Sequence, residues 1–181
     1  MHCKEKIQVR TVVLIAVLCA IAATSRIAFF MLPQVKPSLA IVVVTGISLG
    51  PKIGIIVGAL QIFVSNMFFG QGPWTLWQML AFGTVGFISG ILFYKRTISH
   101  NPILISIFGG LCALIIYGGI MNTASVLMWI RYPTLPMFVA SFINGLPFDI
   151  IHAFSTVVFL KLISKEMIQK LERIKIKYGL R

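Results

Sequence analysis

The stretch SNMFFGQGPWTLWQ, residues 65–78, separates two long apolar runs of the chain. It groups two indole rings with three side-chain amides, from Trp74, Trp77, Asn66, Gln71 and Gln78. Two glycines and a proline prevent a helix from continuing through it. Amides beside indoles are typical either of an anchor at a membrane interface or of the mouth of a ligand site. The side of the membrane on which this stretch lies therefore decides how it is interpreted.

The chain is too apolar for a soluble domain. Of its 181 residues, 58% are hydrophobic and 11% are charged, whereas a soluble domain has about 25% charged residues. We predict an all-α integral membrane protein with one membrane domain over residues 1–181 and six transmembrane helices. The predicted spans are residues 11–32, 39–49, 53–69, 79–94, 103–129 and 137–163, followed by a cytoplasmic amphipathic tail at 164–181.

The basic residues predict the orientation of these spans. The net charge is +12, and a cytoplasmic N-terminus places thirteen Lys and Arg residues inside and three outside. This asymmetry follows the positive-inside rule, so both termini are predicted to be cytoplasmic. It also explains the basic charge without a nucleic-acid partner. The inner basic residues are Lys4, Lys6, Arg10, Lys52, Lys95, Arg96, Lys161, Lys165, Lys170, Arg173, Lys175, Lys177 and Arg181. The outer ones are Arg26, Lys36 and Arg131.

This topology places three proline-containing loops outside, at residues 33–38, 70–77 and 130–136. Tyr132 lies beside Arg131 in the last of them. The polar stretch that begins at Ser65 then belongs to the outer surface, between the third and fourth spans.

The last span contains Asn144, Asp149 and His152 in the sequence SFINGLPFDIIHAF. An ionisable residue within a membrane is costly and usually faces a partner or a water-filled cavity. Asp149 and His152 are three residues apart, so on a helix they share a face and can pair. They contact either a ligand or proton, or each other as a structural pair. Pro147 is expected to kink this helix.

Small residues recur at intervals of four. Gly46, Gly50, Gly54 and Gly58 form one series, and Gly86 and Gly90 repeat the interval in the fourth span. This spacing lets helices approach closely, and packing within the chain is the favoured interpretation over a partner surface. Ala16 and Ala20 show the same interval in the first span, where Ala22, Ala23 and Thr24 offer other small faces.

No catalytic residues, metal site or resident cofactor are predicted. The chain has no phosphate-binding loop of the Walker type, so it cannot hydrolyse ATP by that route. The cysteines, Cys3, Cys19 and Cys112, have neither disulfide nor zinc spacing.

The chain resembles the S components, which are the substrate-binding subunits of energy-coupling factor (ECF) vitamin transporters. The size, the six spans and the Ala16–Ala20 pair are similar to that family. The run KPSLAIVVVTGISLGPKIGIIVGAL from Lys36, followed by SNMFFGQGPWTLWQM, most resembles the cobalamin-type subgroup.

The resemblance implies a vitamin carrier in the bacterial plasma membrane. Such a subunit binds its vitamin from outside, docks on a transmembrane coupling subunit associated with two ABC-type ATPases, and topples to release the vitamin inside. Ala16 and Ala20 would be the docking residues. Cobalamin is the first candidate ligand, and riboflavin, pantothenate and queuosine-like compounds are the alternatives.

The candidate binding residues are polar or aromatic groups near the outer ends of the spans. They are Asn66, Gln71, Trp74, Trp77, Gln78, Asn122, Arg131, Tyr132, Asn144 and Asp149. Two other functions fit the sequence: a stand-alone transporter that uses Asp149 and His152 as a proton relay, and a structural subunit whose tryptophans only anchor the interface.

Overall fold

The computed structural model describes residues 9–95 and 101–179, and every regular element in that part of the chain is a helix. The predicted fold class is confirmed, with six helices, of which five are long and apolar enough to cross a membrane. Lys4, Lys6, Arg96, Arg181, Cys3 and the last two residues of the predicted tail lie outside the described residues. The helices are α1 (Val9–Ala28), α2 (Ser38–Leu49), α3 (Pro51–Phe69), α4 (Trp74–Phe93), α5 (Pro102–Trp129) and α6 (Leu135–Tyr178).

The short helix α2 lies in the centre of the bundle. All of its 12 residues are buried, and it packs on α1, α3, α4 and α6. At a rise of about 1.5 Å per residue it is only about 18 Å long. A helix this short can lie within a membrane because protein, rather than lipid, surrounds it.

A single residue, Gly50, connects α2 to α3. Its φ of +92° lies in the region that glycine adopts without steric cost. Its N–H donates to the carbonyl of Gly46 at 2.9 Å, and Pro51 begins α3, where a missing N–H is not needed. The chain therefore reverses direction immediately.

The glycine series packs α2 and α3 against α4. A Cβ at Gly46 or Gly54 would lie 2.3 Å from the carbonyl oxygen of Gly86, and one at Gly58 would lie 2.5 Å from that of Phe82. These distances are far below van der Waals contact, so only glycine permits the observed backbone approach. The expected role of the glycines in packing within the chain is confirmed.

Two helix ends differ from the predicted ones by four and five residues, respectively. Helix α1 ends at Ala28, and a series of turns that includes Gln34 at φ +61° leads from it to α2. Helix α4 begins at Trp74, five residues before the predicted start. Pro73 supplies the φ of −59° that leads into this helix, so Trp74 and Gln78 are helical rather than part of a loop.

Helices α5 and α6 each contain an irregular feature. Residues Cys112–Tyr117 of α5 form a π-helical segment, a feature that often occurs at functional sites. Helix α6 contains Pro147 and continues through the predicted tail, where Ile168 and Leu171 are buried in the core. The apolar side chains of this segment thus pack on the protein.

Candidate functional site

A buried arginine joins α1 to the polar stretch identified in the sequence. Arg26 is 7% exposed, and its Nη1 donates to Ser65 Oγ and, at 3.2 Å, to Asn66 Oδ1. Asn66 Nδ2 in turn donates to Thr75 Oγ1 at 3.0 Å and to Gln78 Oε1 at 2.9 Å. We call these five residues the arginine cluster. They connect α1, α3 and the first turns of α4.

A second polar group lies between α5 and α6. Asn122 Nδ2 donates to Asp149 Oδ2 at 2.7 Å. The Oγ atoms of Ser125 and Ser141 lie 2.7 Å apart, and each lies 2.8 Å from the carbonyl oxygen of Asn122. Because each hydroxyl has one proton, two of these three contacts are hydrogen bonds at any one time. We call Asn122, Ser125, Ser141 and Asp149 the aspartate cluster.

Two glycines provide the space for the aspartate cluster. A Cβ at Gly118 would lie 2.7 Å from Asp149 Oδ2, and a Cβ at Gly145 would lie 2.1 Å from Asn122 Oδ1. Larger residues at these positions would displace the Asn122–Asp149 pair.

Two residues, Tyr117 and His152, connect the two clusters. The ring of Tyr117, at the end of the π-helical segment, packs edge-on to His152 with centroids 4.6 Å apart. His152 interacts electrostatically with Arg26 and Lys36, and Tyr117 does so with Arg26 and Asp149. The two clusters therefore belong to one polar region. In the up-and-down topology it lies at the end of the bundle predicted to face outside.

The loop between α1 and α2 is attached to this region. The backbone N–H of Lys36 donates to Ser155 Oγ on α6 at 3.2 Å. Burial, and to a smaller extent the positive charge of Arg26, lower the pKa of the Lys36 ammonium. Lys36 is thus held close enough to Arg26 for the two cations to repel each other.

Asp149 and His152, for which the sequence left open either a ligand contact or a structural pair, contact different partners in the structure. Both are buried on α6, but Asp149 accepts from Asn122 on α5. His152 instead faces Tyr117 and, with centroids 6.4 Å apart, Phe82 of α4. Its Nδ1 is buried and has no hydrogen-bond partner among the described residues. Asp149 therefore contacts α5 at Asn122, whereas His152 contacts α5 at Tyr117 and α4 at Phe82.

The remaining candidate residues lie outside these clusters. Trp74 and Trp77 are half-buried on α4, and Trp74 packs on Gly72. Gln71 is exposed and donates to the carbonyl of Phe63 at 2.9 Å. The Arg131 guanidinium lies 5.6 Å from the centroid of the Tyr132 ring.

Arg131, Tyr132 and Asn144 are exposed. Among the described residues, no hydrogen bond or ring contact joins Gln71, Arg131, Tyr132 or Asn144 to either cluster. Of the ten candidates, the structure brings Asn66 together with Gln78, and Asn122 together with Asp149.

The sequence interpretation missed Arg26, Lys36 and Tyr117. Arg26 and Lys36 were assigned to the outer flank by charge counting alone. The signal that was available is the position of Arg26 inside an apolar run, since a cation there usually has a buried partner. Tyr117 carries no such signal.

Helix α1 exposes a stripe of small side chains. Ala16, Ala20 and Thr24 are exposed at intervals of four, whereas Ala22 and Ala23 are buried inside the bundle. Of the alternative small faces, only the one that contains Ala16 and Ala20 is therefore accessible on α1.

The family model described as "ECF transporter, substrate-specific component" matches residues 10–164. The chain belongs to this family. It is therefore a multi-pass membrane subunit of a transporter rather than an enzyme, and members of this family work with the ECF energising module. Within the described residues, no group of His, Cys, Asp and Glu side chains could hold a metal ion.

The chain is also similar to UPF0397 proteins. The one from Vibrio atlanticus (strain LGP32) is 26% identical over 123 residues, which cover 64% of this chain and 67% of the relative. Those from Aliivibrio fischeri (strain MJ11) and Aliivibrio salmonicida (strain LFI1238) are each 32% identical over 87 residues. The matched part spans about half of the Aliivibrio proteins, at 47%. No solved structure matches the chain.

Proposed function

We propose that this ECF S component binds a vitamin from outside in the polar region between the arginine and aspartate clusters. The observation that carries this proposal is the collection of buried and half-buried polar side chains from five helices at one end of an otherwise apolar bundle. Polar groups at this depth are costly unless they are paired or serve a ligand. Aromatic rings beside a few placed polar groups are typical of small-molecule sites.

The proposed cycle requires docking and energy from other chains. The exposed stripe with Ala16 and Ala20 would contact the transmembrane coupling subunit, since small residues let helices approach closely within a membrane. Two ABC-type ATPases would supply the energy, and toppling of the loaded subunit would release the vitamin on the cytoplasmic side. We place this cycle in the bacterial plasma membrane.

Substitution of the stripe separates docking from binding. In Ala16→Leu/Ala20→Leu, we expect vitamin uptake by cells that contain the energising module to be lost, with ligand binding by the purified subunit unchanged. Val13→Leu is the matched control, because Val13 is also exposed on α1, at 56%. Normal uptake by the double variant would contradict the proposed docking surface.

Cobalamin is the first ligand to test, because the sequence resemblance is strongest to the cobalamin-type subgroup. Riboflavin, pantothenate and queuosine-like compounds follow. We expect one of them to bind the purified full chain below micromolar concentrations and to raise its melting temperature. Failure of all of them, together with no uptake in the presence of the energising module, would refute a vitamin-binding role.

Uptake that persists after deletion of the partner ATPases would instead support a stand-alone transporter. The separate environments of Asp149 and His152 do not favour a direct proton relay between these two side chains.

A further inference from the structure

The charges around the polar region are unbalanced. Arg26 and Lys36 face this region from α1 and from the loop that follows it. In the part of the chain that the structure describes, Lys170 pairs with Glu166 at 3.5 Å, but no carboxylate pairs with Arg26 or Lys36. A buried cation without an anionic partner costs several kcal/mol. The two cations also interact unfavourably with each other.

Both cations retain unused hydrogen-bonding capacity. The described bonds of Arg26 leave from Nη1 and end on neutral oxygens, whereas a guanidinium has five N–H donors. The Lys36 bond to Ser155 uses the backbone N–H, and no hydrogen bond of its ammonium occurs among the described residues. A guanidinium and an ammonium side by side can hold a carboxylate or phosphate by charge-assisted hydrogen bonds.

A third side chain points to a ligand independently of these charges. His152 is 2% exposed, and its Nδ1 has no hydrogen-bond partner among the described residues. An unpaired polar atom at such a position usually has a ligand or water as its partner. Lys36 donates its backbone N–H to Ser155, which lies one turn after His152 on α6, so the loop that carries Lys36 lies close to this imidazole.

The rest of the region has a different chemistry. The rings of Phe82 and Tyr117 pack around His152, and Asp149 of the aspartate cluster lies about one turn before His152 on α6. Aromatic surfaces suit the apolar or planar body of a ligand. A carboxylate is an acceptor, so it suits a hydroxyl or amide N–H of the ligand.

We propose that the transported compound is a small organic anion whose carboxylate or phosphate group lies between Arg26 and Lys36. Its uncharged body packs against Phe82, Tyr117 and His152, and a hydroxyl or amide donor reaches Asp149. This inference rests on the proposed function, because it assigns the chemistry of the ligand to the same site. Among the candidate vitamins it favours carboxylates and phosphate esters over neutral compounds.

Matched ligand pairs test the charge requirement. We would measure the melting temperature and the Kd of the purified full chain with pantothenate and its neutral alcohol panthenol, and with flavin mononucleotide and riboflavin. Mass spectrometry would also identify any small molecule that co-purifies with the chain. We expect the anionic member of a pair to bind, the neutral member to bind at least about 10-fold more weakly, and any co-purified compound to contain a carboxylate or phosphate.

Lys36 provides the most specific variant, because substitution of its side chain breaks no described hydrogen bond. Lys36→Gln is expected to weaken binding of the anionic ligand by about 10- to 100-fold, the range for loss of a charge-assisted hydrogen bond. Lys36→Arg should retain most of the affinity. Lys165→Gln removes an exposed lysine from α6 and should leave the affinity unchanged.

The two proposals fail in different ways. A neutral vitamin that binds or co-purifies, or unchanged anion affinity in Lys36→Gln, overturns the anion proposal and leaves the vitamin-binding role intact. If no vitamin binds the wild type and none is taken up with the energising module, the proposed function fails and the anion proposal fails with it.

Discussion

One methyl group added at Gly118 tests the geometry of the aspartate cluster. In Gly118→Ala, the new Cβ would lie 2.7 Å from Asp149 Oδ2 and 2.8 Å from Asp149 Cγ, whereas ordinary contact begins at 3.4 Å. The carboxylate must therefore move by 3.4 − 2.7 = 0.7 Å. Gly119→Ala is an adjacent control, because no atom lies within 4 Å of a Cβ at that position.

The movement of Asp149 breaks its bond to Asn122. Asn122 lies four residues after Gly118, on the same face of α5. When the Asp149 carboxylate moves away from a Cβ at position 118, it therefore also moves away from Asn122. Their distance of 2.7 Å would approach about 3.4 Å, which is outside the good range of about 2.7–3.2 Å. Loss of a hydrogen bond to a charged group costs about 1.5–3 kcal/mol. Replacing glycine in a helix regains about 0.8–1 kcal/mol.

The net loss of stability expected for Gly118→Ala is thus about 0.5–2 kcal/mol. Thermal unfolding of the purified protein in detergent would show a lower melting temperature for Gly118→Ala, and an unchanged or higher one for Gly119→Ala. Ligand affinity should fall only in Gly118→Ala. The reasoning is refuted if the two alanine variants unfold at the same temperature with the same affinity.

Three other substitutions give distinct readouts. Gly86→Ala places a Cβ 2.2 Å from the carbonyl oxygen of Gly54. Because the two helix backbones must then separate, we expect the free energy of unfolding to fall by about 1–3 kcal/mol or more. A melting temperature equal to that of the wild type would contradict this packing. Asn66→Ala removes the centre of the arginine cluster and should reduce the stability of the protein by about 1–3 kcal/mol and weaken ligand binding. Gln71→Ala should change neither property. If the two variants had the same ligand affinity, the arginine cluster would be excluded as the ligand site. For the anionic ligand, affinity should fall as the pH rises through the lowered pKa of Lys36, because the ammonium loses its charge. In Lys36→Arg the same fall should be absent, since guanidinium stays charged; identical pH profiles would argue against an ammonium contact.

The sequence predicted those parts of the fold that depend on local pattern. Apolar runs of sufficient length identified the helices, and the four-residue interval of glycines such as Gly54 and Gly86 predicted close packing. The start of α4 was missed because Pro73 was taken as a break. In the structure it immediately precedes the helix, a place where its fixed φ favours helix initiation. The π-helical segment of α5 leaves no trace in hydropathy at all.

The candidate site was only partly predictable, because its contacts join distant parts of the chain. Arg26 bonds to residues 39 and 40 positions away, and no local pattern specifies such a pair. Asn66, Gln78 and Asp149 were found because amides and acids are conspicuous in an apolar chain. Lys36 was equally visible but was explained by the rule for membrane orientation. One explanation for a charge does not exclude another.

The central position of α2 has a consequence for the toppling proposed above, in which the subunit would tilt as one body. Lipid chains contact the surrounding helices, so local thinning or thickening of the bilayer acts on those helices and not on α2. Because α2 is shielded from lipid and packs on the surrounding helices, it can hold these helices in fixed relative positions. Mild changes in bilayer thickness should then alter how readily the whole subunit reorients, while the shape of its ligand site is preserved.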